Sequence, residues 1–81
     1  MPSLPQLRFY TKAHCPLCDA ALEAVEEARR EVAFDLECLD ILTDPELYRR
    51  FRHVIPLGEL DGREIFRFRT SAAAVIAAVR G

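Results

Sequence analysis

The sequence YTKAHCPLCDAALEAV occupies Tyr10–Val25 and carries the strongest local signals of the chain. Two cysteines, Cys15 and Cys18, stand three residues apart, with Pro16 directly after the first. From Pro16 onward, apolar residues recur at steps of three and four, which is the spacing of one face of a helix. Proline has no backbone N–H to lose and suits the first helical position. The stretch therefore predicts a helix that begins just after Cys15.

The position of the cysteine pair at a helix start favours redox chemistry. The first N–H groups of a helix lack internal partners and carry the positive end of its dipole. A thiolate is stabilised there, so we expect the pKa of the Cys15 thiol to fall below its usual value of about 8.5. Cys18 lies one turn further along the same face. The pair therefore suits a reaction in which Cys15 attacks a disulfide and Cys18 resolves the mixed disulfide.

Two other interpretations of the pair stay open at this point: zinc ligands, and two inert, half-buried thiols. A structural zinc site needs four ligands, commonly two closely spaced pairs of cysteine or histidine. The further candidates are His14, Cys38 and His53, and none of them forms a second paired motif. The spacing therefore favours the redox interpretation and predicts no metal site.

Turn signals divide the remaining chain into alternating strands and helices. The predicted elements are, in order, a strand over 6–10, a helix from 16, a strand over 33–41, a short helix from 45, strands over 54–60 and 64–68, and a helix capped by Thr70 or Ser71. The first two connections are long enough to carry a helix between parallel strands, and Asp61-Gly62 is typical of a tight hairpin. The order β-α-β-α-β-β-α predicts a single α/β domain over 1–81, with a four-stranded mixed sheet and helices on both faces.

Three motifs of this chain match a known pattern. They are Tyr10-Thr11-Lys12-x-x-Cys15-Pro16-x-Cys18 after the first strand, Val54-Ile55-Pro56 before the third, and Asp61-Gly62 at the hairpin. Over residues 7–79 the chain resembles a glutaredoxin-like protein of the thioredoxin superfamily. The resemblance implies a thioredoxin-like fold, which agrees with the order of elements predicted from the residues.

The resemblance also implies the parts of an active site. Cys15 and Cys18 correspond to the catalytic dithiol of the family. Pro56 corresponds to a proline that follows a cis peptide bond and faces the cysteine pair. Ile55 would offer backbone hydrogen bonds to the substrate, and Lys12 would bind a carboxylate of glutathione.

Two departures from the family pattern bear on the electron donor. Leu17 stands before the second cysteine, where a typical glutaredoxin has an aromatic residue. The segment Arg67–Ser71 stands where glutathione-using members carry Gly-Gly followed by acidic residues. The chain therefore resembles most the glutaredoxin-like group that lacks the Gly-Gly element, and either glutathione or a thioredoxin-reductase-type system is expected as reductant.

Composition argues against several other classes of protein. The 81 residues are 51% hydrophobic and 30% charged, which indicates an ordered globular chain. The net charge of −2 provides no overall positive field for nucleic acid or anionic lipid. No apolar run suits a signal peptide or a membrane span. We therefore expect a cytoplasmic monomer without nucleic-acid or membrane partners, in a compartment that keeps thiols reduced.

Some residues outside the motifs have less specific expectations. Cys38 lies in a predicted strand and is expected to be a small core residue, because free cysteine is among the most buried types. The alternating Phe66 and Phe68 are expected in the core of the sheet. A basic cluster on the second predicted helix is either a solvated face or a docking surface for acidic partners or a glutathione carboxylate. It consists of Arg49, Arg50 and Arg52.

The leading functional hypothesis is a thiol–disulfide oxidoreductase that acts in cell redox homeostasis. It would reduce protein or small-molecule disulfides through the Cys15-Pro-Leu-Cys18 dithiol, without a bound cofactor. The alternatives from other classes are a non-catalytic adaptor of the same fold that binds a protein partner, and a zinc-binding module. A reversible redox couple between the two cysteines distinguishes the oxidoreductase from the adaptor.

Overall fold

The computed structural model describes residues 3–81, which form one sheet with helices packed against it. The strands are β1 (Gln6–Thr11), β2 (Asp35–Asp40), β3 (Leu57–Leu60) and β4 (Arg63–Arg67). The helices are α1 (Pro16–Arg29), α2 (Pro45–Phe51) and α3 (Ala72–Arg80). The predicted order β-α-β-α-β-β-α is confirmed, with one unpredicted 3-10 turn at Ile41–Thr43 between β2 and α2. No helix within the described residues is both long enough and apolar enough to span a membrane.

The sheet has the spatial order β2-β1-β3-β4. β1 pairs in parallel with β2 and antiparallel with β3, and β3 pairs antiparallel with β4, so the sheet is mixed as predicted. Asp61 and Gly62 join β3 to β4 with φ angles of 49° and 85°. Two consecutive positive φ values are the signature of the type I′ turn, whose twist matches that of a hairpin.

The two faces of the sheet carry separate apolar clusters. Successive residues of a strand point to opposite faces, so Leu7 and Phe9 of β1 point to one side and Tyr10 to the other. The larger cluster lies between the sheet, α1 and α3. Its buried members are Leu7, Phe9, Ala21, Val25, Ala28, Phe34, Leu60, Phe66 and Val75. The smaller cluster lies on the side of α2 and contains Tyr10, Cys18, Ile41, Phe51, Ile55 and Leu57.

Each strand differs from its predicted bounds by one to three residues at one end or both, and two of the differences have a local cause. The third strand begins at Leu57 rather than at residue 54, and the fourth ends at Arg67 rather than at residue 68. Pro56 has no N–H to donate to a ladder, so pairing begins only after it. Phe68 has a φ of 70°, which lies outside the β region and ends the strand.

The expected burial of Cys38 and Phe68 is wrong. Cys38 is exposed on β2, which is an edge strand, whereas Leu36 and Leu39 of that strand are partly buried against the two clusters. Phe68 is exposed because it follows the end of β4, whereas Phe66 is buried as predicted. On α2, Phe51 is buried but Tyr48 faces solvent.

Candidate active site

The cysteine pair lies at the junction of β1 and α1. Cys15 is the N-cap of α1, with φ −122° and ψ 96°, and Pro16 is the first helical residue. The Cys18 backbone N–H donates a hydrogen bond to Cys15 Sγ at 3.2 Å. A disulfide joins the two cysteines, whose Cα atoms are 5.2 Å apart. One sulfur thus takes the place that a serine or aspartate oxygen usually takes at a helix start.

The two sulfurs differ in their access to solvent. Cys18 is 1% exposed and belongs to the smaller apolar cluster, together with Tyr10 and Ile55. Cys15 is half-buried and packs against the edge of that cluster. Cys15 is therefore the more accessible of the two cysteines.

The loop before β3 packs against the same cluster. Ile55 and Pro56 are both buried, and the peptide bond between them is cis. Within residues 3–81, neither the N–H nor the C=O of Ile55 has a backbone hydrogen-bond partner. Buried backbone polar groups are almost always paired in folded proteins. The backbone of Ile55 is therefore an exception to this rule among the described residues of the loop.

Tyr10 packs in the same cluster as this loop, and the sequence did not indicate it as a site residue. Its ring stacks on Phe51 of α2, with centroids 4.1 Å apart. Its hydroxyl donates a hydrogen bond to Glu59 Oε1 at 2.8 Å. Burial raises the pKa of the Tyr10 phenol, and the hydrogen bond and negative charge of Glu59 raise it further. The contact joins residues 49 positions apart, so no local sequence signal could have indicated it.

The loop that leads into Cys15 carries a cationic side chain. Lys12 is exposed there, and so is His14, which has a φ of 59°. Lys12 forms no ion pair with any residue in the range 3–81. Its ammonium group is therefore unpaired within that range.

The third thiol, Cys38, lies apart from the pair on the exposed edge strand. Partial desolvation raises the pKa of the Cys38 thiol, and the negative charge of Glu26 adds to this effect. The positive charge of Arg29 opposes it. Over residues 3–81, no three His, Cys, Asp or Glu side chains come together as a metal site would require.

Comparison with known proteins places these features in a family. Residues 6–80 match the family described as Glutaredoxin-like domain (DUF836). This chain belongs to that glutaredoxin-like family. Uncharacterized protein Rv0508 of Mycobacterium tuberculosis is 33% identical over 67 residues, which are 76% of this chain and 69% of that relative. A glutaredoxin-like protein of Dictyostelium discoideum is 33% identical over 69 residues, which are 78% of this chain and 64% of that relative.

Solved structures confirm the fold class. Protein XcR50 of X. campestris superimposes with a TM-score of 0.74 at 29% identity, over 91% of this chain and 95% of that one. Thioredoxin 1 of Thermosipho africanus superimposes with a TM-score of 0.65 over 93% of this chain and 90% of that one. The latter shares only 20% identity, so its likeness concerns the fold alone. This glutaredoxin-like domain is thus an α/β protein with a thioredoxin-like fold.

Proposed function

We propose that this glutaredoxin-like protein is a thiol–disulfide oxidoreductase in which Cys15 and Cys18 are the catalytic pair. The observation that carries the proposal is the unequal pair at the start of α1. Cys15 is reachable and receives a backbone hydrogen bond, whereas Cys18 is buried directly behind it. A fold of this class hosts many functions, so it is the geometry of this site, rather than the fold, that supports the proposal.

The reaction begins with the reduced protein. The Cys18 N–H and the positive end of the α1 dipole stabilise the thiolate of Cys15. This thiolate attacks one sulfur of a substrate disulfide. A bond forms between Cys15 Sγ and that sulfur, the substrate S–S bond breaks, and the second substrate sulfur leaves as a thiolate that takes a proton from water.

The second step releases the substrate. The Cys18 sulfur, as thiolate, attacks Cys15 Sγ, closes the intramolecular disulfide and expels the remaining substrate thiolate. The substrate gains two electrons in total and the protein loses two. A thiol reductant then restores the dithiol, and the sources proposed are glutathione or a thioredoxin-reductase-type system. Such a cycle would serve cell redox homeostasis.

Three further residues, Lys12, Ile55 and Pro56, would form the substrate-binding part of the site. The unpaired N–H and C=O of Ile55 would hydrogen-bond to the backbone of an extended substrate segment. Pro56, which is buried next to Ile55, fixes the course of the loop that presents these groups. The exposed ammonium of Lys12 would attract a substrate carboxylate.

Trapping of the mixed disulfide tests the mechanism. In a Cys38→Ser background, the Cys18→Ser variant should accumulate mixed disulfides through Cys15, because the resolving thiol is absent. The Cys15→Ser variant is the matched control and should accumulate none. If both variants trap substrate equally, or if neither does, the assigned mechanism is wrong.

A redox titration separates the oxidoreductase from a non-catalytic adaptor of the same fold. An oxidoreductase should show a reversible Cys15–Cys18 couple, in the range of about −270 to −200 mV that thioredoxins and glutaredoxins cover. An adaptor shows no reversible couple. Turnover assays run in parallel with glutathione and with a thioredoxin-reductase system would then identify the electron donor.

A further inference from the structure

Phe68 adopts a backbone conformation that is unusual for an aromatic residue. Its φ is 70°, and the Arg69 N–H donates a hydrogen bond to the Arg67 carbonyl at 2.8 Å. A hydrogen bond across three residues with a positive central φ defines a classic γ-turn, which is rare and strained. Non-glycine residues seldom occupy positive φ, and such strain persists mainly at functional sites.

The strained turn is tied directly to the active-site loop. The Phe68 N–H donates a hydrogen bond to the Pro56 carbonyl at 2.6 Å. The backbone of Phe68 is therefore fixed against the loop that presents Ile55. Its side chain nevertheless stays 41% exposed, so the ring adds little to the core. The turn holds a large apolar side chain in solvent beside the candidate active site.

A surface groove separates this ring from α1. The residues that line it are Leu17, Ala20, Ala21, Phe68, Arg69 and Thr70. Leu17 stands between the two cysteines, so one end of the groove adjoins the disulfide. Its walls are mainly apolar, and Arg69 is its one cation. Arg67 is paired with Glu64, whereas Arg69 takes part in none of the ion pairs within residues 3–81.

We propose that Phe68 determines which disulfides this protein reduces. This inference rests on the proposed oxidoreductase function and deepens it. The occupant of the groove is an extended segment of a protein disulfide that carries an apolar side chain next to its cysteine and an acidic residue beyond it. The apolar side chain is buried between Leu17 and Phe68, and the acidic residue pairs with Arg69.

Glutathione disulfide fits the groove poorly. The cysteine of glutathione is flanked by a γ-glutamyl group and by glycine, and neither offers an apolar side chain to the ring of Phe68. Apolar pockets distinguish substrates by the apolar groups that the substrates bury in them. Glutathione disulfide buries no such group in this groove. Phe68 therefore directs the protein towards peptide disulfides.

Competing substrates test this proposal. The probes are two peptide disulfides that are identical except for leucine or serine next to the cysteine, together with hydroxyethyl disulfide, which is too small to reach the groove. The wild-type protein should reduce the leucine peptide with the higher kcat/KM. Phe68→Ala should lower kcat/KM for the leucine peptide about tenfold, a typical effect of one changed apolar contact. It should leave the serine peptide and hydroxyethyl disulfide nearly unchanged.

The chain offers a matched control in Tyr48, an aromatic residue on α2 with the same exposure of 41%. Tyr48→Ala should leave the ratio of kcat/KM between the leucine and serine peptides as in the wild type. Phe68→Leu should keep much of the preference for the leucine peptide that Phe68→Ala loses. Arg69→Gln should reduce the advantage of peptides that carry an acidic residue. If Phe68→Ala does not fold, Phe68→Gly removes the ring and relieves the positive φ.

The outcomes separate the inference from the proposed function. Reduction of hydroxyethyl disulfide with no preference between the peptides, or an equal loss on all three probes in Phe68→Ala, overturns the assignment of Phe68 while leaving the catalytic pair intact. Failure of the wild-type protein to reduce any probe overturns the proposed function and this inference with it.

Discussion

Cys15 and Cys38 are the two accessible thiols of the reduced protein, and their surroundings differ. Desolvation and the charge of Glu26 raise the pKa of Cys38, so less of it is thiolate at a given pH. The Cys15 sulfur instead receives the Cys18 N–H at a helix start. At about pH 6 we therefore expect iodoacetamide to alkylate reduced Cys15 at least about tenfold faster than Cys38, because the thiolate is the nucleophile.

Mass spectrometry of quenched samples measures both rates in one protein. The unfolded chain in urea serves as the control, since the environments that separate the two thiols are lost there. We expect the two rates to converge in urea. Equal rates in the folded protein at this pH would contradict the assignment of Cys15 as the attacking thiol.

Gly58 of β3 is required by its close contact with a buried ring. A Cβ atom at this position would lie 2.6 Å from Cζ of Phe66, closer than real contacts permit. Phe66 is a buried member of the larger cluster and has little room to move. We expect Gly58→Ala to lower the free energy of unfolding by about 1–3 kcal/mol, as overpacking of a core does. Urea denaturation measures the change.

A double-mutant cycle identifies the cause of that loss. If the clash is with the ring, Phe66→Leu should recover part of the stability when it is combined with Gly58→Ala, although it is destabilising alone. Strictly additive effects of the two substitutions would show that the cost arises elsewhere in the strand.

At the scale of elements, the cap of α3 supports the larger cluster. Ser71 Oγ accepts a hydrogen bond from the Ala74 N–H at 3.1 Å, and Val75 of this helix is buried. Ser71→Ala removes the acceptor and should lower the free energy of unfolding by about 1 kcal/mol. Thermal and urea unfolding measure the loss.

Ser71→Asp is the matched variant, because its carboxylate can still accept the Ala74 N–H and suits the positive end of the helix dipole. It should unfold close to the wild-type midpoint. If Ser71→Asp loses as much stability as Ser71→Ala, the hydroxyl contributes through something other than the cap.

The helix starts were predictable from sequence, since their causes are local. Pro16 and Pro45 lack a backbone N–H at the first helical position, where that group has no partner within the helix. Asp44 caps α2 by accepting a hydrogen bond from the Glu46 N–H at 2.8 Å. The start of β3 and the end of β4 were less predictable. The fourth strand stops where Phe68 takes a positive φ, a conformation that its residue type disfavours.

At the scale of the whole molecule, α1 connects the two apolar clusters. Ala21 and Val25 belong to the cluster beneath α1 and α3, whereas Cys18 belongs to the cluster on the side of α2. The helix that begins at the cysteine pair thus packs in both clusters. The Cys15 sulfur therefore lies at the start of a helix that packs against both clusters.

The fold class could be predicted from patterns in the sequence, but the position of each strand within the sheet could not. Element order and hairpin chemistry predicted the α/β class and the mixed sheet. Exposure of Cys38 depends on β2 lying at an edge, which only the assembled order β2-β1-β3-β4 reveals. The pairing of Tyr10 with Glu59 likewise depends on the register between β1 and β3, and this pairing gives the molecule a measurable dependence on pH.

Global stability should fall in alkaline solution because of Tyr10. Its pKa in the folded protein is raised above the ordinary value of 10.0, whereas in the unfolded chain it is ordinary. The unfolded state therefore loses the phenol proton first as pH rises. The stability contributed by the protonated phenol is fully present below about pH 10 and is lost as pH rises through the folded-state pKa.

Urea unfolding between about pH 8 and pH 11 measures this loss as a falling free energy of unfolding. The oxidised Cys38→Ser protein is the proper background, because the raised pKa of the Cys38 thiol would produce a decline of the same sign. Tyr10→Phe keeps the stack on Phe51 but has no phenol to ionise, so its stability should be lower near neutral pH and decline less steeply above pH 10. If the free energy of unfolding of Tyr10→Phe declines equally steeply, the alkaline loss comes from other groups. The Tyr10–Glu59 contact then does not cause the pH dependence.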